Sequence, residues 1–553
     1  MLVYGIFFQL VISIVTANTA SSKPCVLKSF NTGLVCVCNS TYCDTLNFKL
    51  PVKIGDALII SSSKSGLRFH ESHAKFNESI NRIPHGPFHY GNGNSDTSSR
   101  YLNKIIKVVK KFEGIEEPID NYVNIMVNRS NKFQKVIGFG GAFTGSVSYN
   151  LKQLPKEVQE HIYQGYYSKE IGIAYNMMRL SIGGCDFDLS PWAYNEEPVH
   201  DIFLSNFTKL DDRDIEKIHQ INELKKITKN HDFKVFGAAW SPPKWMKSNN
   251  DYTGFSVLRD EYYQTWADYH VKYLELMAKN GLPFWAISTG NEPLNGIIFP
   301  YFVHFMSLGW DPILQGKWVA DNLGPAMKMS TVAKNVKLLG CDDQRYTLPG
   351  WLDQMYKGSP NSTEFLDGIA VHWYADKVTP ADYLDQTAEQ FPDKFIIASE
   401  ASSGDRPWDL HKPELGSWNR FEDYFLDIIE DFNHYISAWV DWNLVLDESG
   451  GPNYASNYVD AAMVYNGNDL YKQPIFYGLG HFSRFVPEGS VRIKSKSSNR
   501  YVKSVSFLRP DGYTVVILYN MAEHYLHVNI FDHDRGALRL DLPAKSAHTI
   551  VYK

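Results

Sequence analysis

Two stretches of this sequence carry an apolar run into a glutamate. Residues 284–287 lead through Ser-Thr-Gly to Asn291 and Glu292, just before Pro293. Phe395-Ile-Ile-Ala leads to Ser399 and Glu400. A carboxylate at the C-terminal mouth of a buried strand is fixed by the strand and opened to substrate by the loop that follows. A facing pair, one protonated and one ionised, can do glycoside hydrolysis, because burial and like-charge repulsion separate two carboxyl titrations by a few units. The plainer alternative is that each glutamate only forms an ion pair with Arg179 or Arg345.

Such chemistry needs elements that bring both ends to one place. Between residues 135 and 443, strand-like apolar runs alternate with helical ones. The strands are expected at 135–139, 174–182, 233–240, 284–289, 336–341, 368–374, 394–399 and 436–442. One helix is expected to follow Pro155, with Val158, Ile162 and Tyr166 on one face. A second carries Tyr263, Trp266, Ala267, Leu274, Met277 and Ala278 and stops at Asn280-Gly281. Eight such units predict an α/β fold of the (β/α)8 TIM-barrel type, with Glu292 after strand 4 and Glu400 ending strand 7. An open doubly wound sheet would want a phosphate-binding glycine loop, and Gly138-Phe-Gly-Gly141 lacks its spacing.

The other strand ends supply matching groups. Arg179 ends strand 2 and could hold a carboxylate ionised; Asp186 follows and could accept hydrogen bonds from hydroxyls. Trp240 to Trp245 end strand 3, His372-Trp373-Tyr374 strand 6, and Asp441-Trp442-Asn443 strand 8. Aromatic faces for C–H surfaces and polar tips for hydroxyls make a carbohydrate subsite, although any one of these residues is more often a packing group. The sequence has no GxSxG, HExxH or Walker A motif, and its His residues lack metal-ligand spacing, so no metal or cofactor is expected. With a net charge of -6 and no one-signed tail, nucleic-acid binding is not expected.

Residues 1–20 read as a signal peptide with an apolar stretch and small residues at Ala17 to Ala20. Cys25, Cys36, Cys38 and Cys43 then read as two local disulfides. The expected pairing is Cys25–Cys36 and Cys38–Cys43; four cysteines allow three pairings, and the sequence does not choose. Cys185 and Cys341 are expected free and buried. Sequons at Asn39, Asn77, Asn128, Asn206 and Asn361 are candidate glycan sites. Residues 85–100 read as a mobile loop, and the Lys-rich run 104–111 as a solvated face or an anionic-membrane contact. Residues 500–553 return to β-strands. The expected domains are 21–50 with 444–475, a small disulfide-containing β-sheet domain; 51–134 with 490–553, a β-sandwich; and 135–443 with 476–489, the catalytic barrel.

An ordered set of motifs resembles the glucosylceramidase type of glycoside hydrolase family 30, from about residue 23 to the end. They are Val35-Cys-Val-Cys-Asn-Ser-Thr-Tyr-Cys43, Gly138-Phe-Gly-Gly-Ala142, Tyr175-Asn-Met-Met-Arg179, Cys185-Asp-Phe187 and Ser241-Pro-Pro-Lys-Trp245. Further along come Gly290-Asn-Glu-Pro293, Asp342-Asp-Gln-Arg345, Gly368-Ile-Ala-Val-His-Trp-Tyr374, Ala398-Ser-Glu-Ala401, Asp441-Trp-Asn-Leu444, Gly450-Gly-Pro-Asn453 and the run from Tyr471 to Phe482. The resemblance implies Glu292 as acid/base and Glu400 as nucleophile in a retaining reaction. It implies a glucose pocket of Arg179, Asp186, Trp240, Asn291, His372, Tyr374, Trp442 and Asn457, with Asn291 on the 2-OH. It also implies glucosylceramide at an anionic membrane surface as substrate, a saposin C-like activator, a lysosomal transport receptor, and a lysosomal location with secretion as the alternative. The chain departs from the pattern at an insertion about 84–118, in the loop Phe299-Pro-Tyr-Phe-Val-His-Phe305, and at Ser402, where a cysteine is frequent.

Overall fold

The computed structural model describes residues 22–77, 122–406, 409 and 412–553. The expected signal peptide, the loop 85–100 and the Lys-rich run 104–111 lie outside the described residues. The chain opens with a hairpin of β1 (Leu27–Phe30) and β2 (Gly33–Cys38), stapled by the Cys25–Cys36 and Cys38–Cys43 disulfides. Then come β3 (Asp56–Ser63), β4 (His70–Lys75) and β5 (Tyr122–Lys135).

Eight parallel strands close the central barrel: β6 (Gly138–Ala142), β7 (Met177–Ser181), β8 (Lys234–Ala238), β9 (Ala286–Ser288), β10 (Lys337–Gln344), β11 (Gly368–His372), β12 (Phe395–Glu400) and β13 (Ile436–Asn443), which returns to β6. Covered on both faces, these strands have no polar side to show, which is why they read as continuous apolar runs. Their interior is plugged by Met177, Phe236, Ala286, Leu339, Ala370, Ile397, Ala438 and Val440. Strand β6 brings glycines instead. At Gly140 an added Cβ would stand 2.3 Å from the Met177 carbonyl oxygen. The helix Lys156–Tyr167 buries Val158, Ile162 and Tyr166 as its spacing requires. The helix Tyr263–Lys279 buries Trp266, Ala267, Leu274 and Met277 and ends at Asn280, before Gly281 at φ +85°.

Three short strands follow: β14 (Val445–Asp447), β15 (Met463–Asn466) and β16 (Asp469–Lys472). They join the first hairpin in one sheet of order β1-β2-β16-β15-β14. Strands β17 (Val491–Ser497), β18 (Val502–Leu508), β19 (Thr514–Asn520), β20 (Leu526–Asp532), β21 (Gly536–Leu542) and β22 (Ser546–Tyr552) complete a nine-stranded sheet of order β21-β20-β5-β17-β18-β19-β22-β3-β4. Its far edges meet where the Asn77 and Ala537 backbones pair, so the sheet rolls around its own core of Val123, Ile125, Val516, Ile530 and Ile550. The fold is therefore a TIM barrel with a β-sandwich and a small disulfide-stapled sheet.

One helix locks these parts together. Every residue of Pro474–Ser483 is buried. Its His481 bonds Ser62 of β3 and Thr549 of β22. Burial, with His548 nearby, holds this imidazole well below its ordinary value, so it stays neutral. Cys185 and Cys341 are free and buried. Of the sequon asparagines, Asn77, Asn128, Asn206 and Asn361 are exposed, while Asn39 is half-buried and accepts from the Thr41 and Tyr42 backbones.

Gly140→Ala forces its new methyl against the β7 backbone, which cannot move without opening the barrel. The expected cost is about 1–3 kcal/mol, read as a lower Tm than wild type in a thermal melt; an unchanged Tm would show the β6–β7 approach to be slack.

Candidate active site

The glutamates sit at the same end of the barrel, as their positions on strands demand. Glu400 is the last residue of β12. Glu292 lies four residues past β9, in the left-handed conformation (φ +45°) that turns it inward before the short helix Pro293–Gly296. One oxygen of each, together with a His372 ring nitrogen, falls within 4.8 Å of the others. Retaining glycosidases hold their carboxyl groups about 5–5.5 Å apart, inverting ones roughly 6.5–9.5 Å.

Each glutamate has its own set of partners. Arg179, fully buried on β7, bonds Glu400 Oε2 through Nη1 and the Asn291 side-chain Oδ1 through Nη2 at 2.8 Å. The Tyr374 hydroxyl donates to Glu400 Oε1 at 2.8 Å. Glu292 Oε1 faces His372 Nδ1 at 2.9 Å and accepts from Gln344 Nε2 at 2.9 Å, while its Oε2 accepts from Asn295 Nδ2 at 2.6 Å. Trp240 and Trp442 stack with centroids 5.4 Å apart, and both flank the Arg179 guanidinium. Asn457 donates to Asp186 Oδ2 at 3.0 Å. Of the residues expected at the site from sequence, Arg179, Trp240, Asn291, Glu292, His372, Tyr374, Glu400 and Trp442 come together at the mouth, and Asp186, bonded to Asn457, is near enough to feel the Glu400 and Glu292 charges.

Other residues at these strand ends point elsewhere. Trp245 bonds the Asn195 carbonyl and packs on Tyr262. Trp373 bonds the Ser402 carbonyl and packs on Tyr424. Arg345 pairs with neither catalytic-site glutamate. It is buried among Asp376, Glu430 and Asp431, with Asp427 at 3.9 Å. Arg179 is the one that pairs with Glu400.

Asp342 is the residue that strand-end reasoning missed. Sequence places the end of strand 5 at 341, but β10 runs on to Gln344 through a bulge at Cys341 to Asp343. Cys341 (φ +73°) and Asp342 (φ +62°) both adopt left-handed conformations, uncommon for residues with a Cβ. The bulge aims Asp342 into the barrel mouth. There it meets Arg179 Nη2 at 3.1 Å, His372 Nε2 at 3.1 Å and the Ser288 and Ser399 hydroxyls at 2.6 Å each. Its own carbonyl accepts from the Glu292 backbone at 2.9 Å. The acidic pair Asp342-Asp343 after an apolar run was the available signal.

Burial opposes charge on all these groups, and their mutual attraction decides the outcome. For Asp342, burial alone would favour the acid, but Arg179 and His372 outweigh it and hold the carboxyl well below the usual range. Burial likewise works against the His372 cation, yet Glu400, Asp342 and Glu292 raise it to about 10. His372 is therefore an imidazolium at neutral pH and donates from both nitrogens. Asp186 goes the other way. Burial first, then the Glu400 charge, push it up to about 7. Asp343 reaches about 7 by burial and the nearby Glu292, and burial takes Asp441 and Asp460 to about 7.

A barrel mouth with two glutamates at this spacing, among stacked tryptophans and hydrogen-bonding side chains, defines a glycoside hydrolase frame. The sequence comparisons agree. Residues 136–486 match the glycosyl hydrolase family 30 TIM-barrel domain, and residues 489–550 match the family's beta sandwich domain. The chain belongs to glycoside hydrolase family 30 and is a glycosidase. It is 34% identical over 541 residues to the lysosomal acid glucosylceramidase of Mus musculus, covering 96% of each chain. It is 23% identical to an endo-1,6-beta-D-glucanase of Trichoderma harzianum, over 81% of this chain and 90% of that one. In structure it is similar to SrfJ from Salmonella typhimurium, with a TM-score of 0.74 at 23% identity, covering 90% of this chain and 99% of that one.

Two outcomes follow from the electrostatics. Asp342→Asn removes one carboxylate shared by two buried cations, each of which keeps a glutamate; breaking a buried ion pair costs roughly 3–5 kcal/mol, so Tm should fall sharply, and a melt within a degree of wild type would remove Asp342 from this role. Separately, Asp186, Asp343, Asp441 and Asp460 titrate near 7 when folded, against about 3.9 in an unfolded chain. A carboxyl raised by folding contributes stability that is complete below the unfolded value and lost as pH rises through the folded one. Tm should therefore be higher at pH 5 than at pH 7.5, and Asp441→Asn should shrink that difference. Buried neutral histidines such as His481 act in the opposite direction, so the deciding result is the variant: a pH dependence of Tm that Asp441→Asn leaves unchanged would contradict the burial assigned to Asp441.

Proposed function

We propose that this glycosidase is a retaining β-glucosidase that cleaves glucosylceramide to glucose and ceramide. The observation that carries the mechanism is the approach of the Glu292 and Glu400 carboxylates, within 4.8 Å across His372. An approach this close supports the short carboxyl spacing of retaining enzymes over the wider one that inversion uses. Glu400, paired with Arg179, attacks the anomeric carbon and forms a glucosyl ester. Glu292 passes its proton to the departing ceramide oxygen. Water then attacks the ester, yields a proton to Glu292, and releases Glu400 as a carboxylate. Asp186 and Asn457, Trp240 and Trp442, and Asn291 are the groups proposed to hold the glucose.

The lipid aglycone rests on two supports. One is the near-full-length likeness to the mouse lysosomal glucosylceramidase. The other is an apolar rim on loops that follow the barrel strands. Tyr301 and Phe302, 86% and 82% exposed, follow β9, with Phe203 after β7 and Val378 after β11 similarly bare. Side chains of this kind bury favourably in a bilayer interface, and they would bring the mouth to a membrane-borne substrate. The same likeness supports a lysosomal location; a saposin-type activator and a transport receptor are part of the proposal. Among the described residues no helix is long and apolar enough to cross a membrane. The β-1,6-glucanase relative supports a second reading, an oligosaccharide substrate. A panel of glucosylceramide, steryl glucoside and β-1,6-glucan separates the two.

Incubation with a 2-deoxy-2-fluoro-β-glucosyl inactivator should add one sugar to the intact mass, mapped to Glu400. Glu400→Gln should lose both activity and labelling. Glu292→Gln should lose most on substrates with poor leaving groups, by roughly 10²–10⁴-fold, and azide should restore turnover of an activated aryl glucoside. A folded protein that takes no label, or takes it elsewhere than Glu400, overturns the reading.

A further inference from the structure

Glu292 has more partners than a proton donor needs, and they are distributed unevenly. A carboxylate oxygen offers two lone pairs. Both lone pairs of Oε1 are taken, by His372 Nδ1 and Gln344 Nε2, each at 2.9 Å. Oε2 has only Asn295 Nδ2, at 2.6 Å, so one of its lone pairs remains free. The acidic proton must then reside on Oε2, on the side that Asn295 leaves open. We infer that Asn295 is a positioning residue for proton transfer: it fixes which lone pair of Glu292 carries the proton that goes to the leaving group. This rests on the proposed role of Glu292 as acid/base.

Asn295 is itself firmly held. It lies on the short helix Pro293–Gly296, where its backbone N–H returns to the Glu292 carbonyl at 2.9 Å. The neighbouring Leu294 N–H donates to Asp343 Oδ2 at 3.0 Å. Gly296 presses on the Gly309 backbone so closely that a Cβ there would lie 2.1 Å from the Gly309 nitrogen. A turn pinned at Asp343 and at Gly309 gives the Asn295 amide little freedom to leave Oε2. When Glu292 gives up its proton, Asn295 already donates to the oxygen that becomes charged, and no reorganisation is needed at that moment.

The test compares kcat/KM on phenyl and 2,4-dinitrophenyl β-glucosides, because only the poorer leaving group needs the proton. Asn295→Ala should lose about tenfold on the phenyl glucoside, the worth of one hydrogen bond to a charged group, and stay within about twofold of wild type on the dinitrophenyl glucoside. Asn295→Leu keeps the side chain's bulk without its donor, and should lose at least as much on the phenyl substrate. Equal losses on both substrates, no loss on either, or wild-type rates on the phenyl glucoside for Asn295→Leu would each overturn the inference. Glu292→Gln run alongside separates the two levels. If it shows the leaving-group split and Asn295→Ala does not, only Asn295 loses its role. If it shows no split, the acid/base reading of Glu292 falls, and the inference with it.

Discussion

A single buried carboxylate, Asp342, holds the catalytic end of this barrel together. It pairs with Arg179 and His372 at once, and those two cations serve different glutamates: Arg179 bonds Glu400 and His372 meets Glu292. Its remaining capacity is filled by hydroxyls from β9 and β12. Strands β7, β9, β11 and β12 are therefore tied to one group that belongs to β10. The cost is a backbone with two consecutive non-glycine residues in left-handed conformations, of the order of 1–2 kcal/mol each. The surrounding barrel holds that conformation, as strained residues at functional sites generally require. Buried ions are poor stabilisers in themselves but specify geometry when fully paired. Here the geometry specified is the relative position of two glutamates.

How much of this could be read from the sequence follows from the same physics. The eight barrel strands were legible because burial on both faces leaves continuous apolar runs, and Glu292 and Glu400 were legible because they stand at the ends of two of them. The helices at 156–167 and 263–279 were legible from one apolar face each. Asp342 was not, because a bulge extends β10 past the last apolar residue and reverses which way its side chains point. Asn295 was hidden for a related reason. It reaches Glu292 through a three-residue turn whose shape depends on Asp343 and Gly309, both distant in sequence. Arg345 and Trp245 sit beside the right motifs but on chain that turns outward, and no local pattern distinguishes them from Arg179 and Trp240. The pairing of Asn77 with Ala537, which rolls the large sheet, joins segments hundreds of residues apart.

The non-catalytic parts bear on the site through the helix Pro474–Ser483. It is apolar along its whole length and therefore has to be enclosed, and what encloses it comes from all three parts of the fold. Tyr477 reaches Asp44 beside the disulfides, and His481 reaches the large sheet. The neutral His481 matters here, since a charged imidazole among Ser62, Thr549 and the Phe69 and Phe425 rings would lack a counter-ion. The buried carboxyls around the barrel mouth follow the opposite logic: each is easier to bury as the acid.

The proposed mechanism asks one barrel to keep two chemically identical side chains in different roles, and their partners differ in kind. Glu400 faces a guanidinium that is itself held charged by Asp342, and a phenol that donates to its other oxygen. Charge on this carboxylate is matched by a charge that cannot leave, which suits a nucleophile. Glu292 faces one shared imidazolium and two neutral amides. Amides donate without fixing a full charge opposite the carboxylate, and they need not move when it gains or loses a proton. A group that alternates between acid and base benefits from that kind of surrounding. The glutamates thus differ in the mix of their partners: Glu400 meets a guanidinium and a phenol, Glu292 an imidazolium shared with Asp342 and two neutral amides.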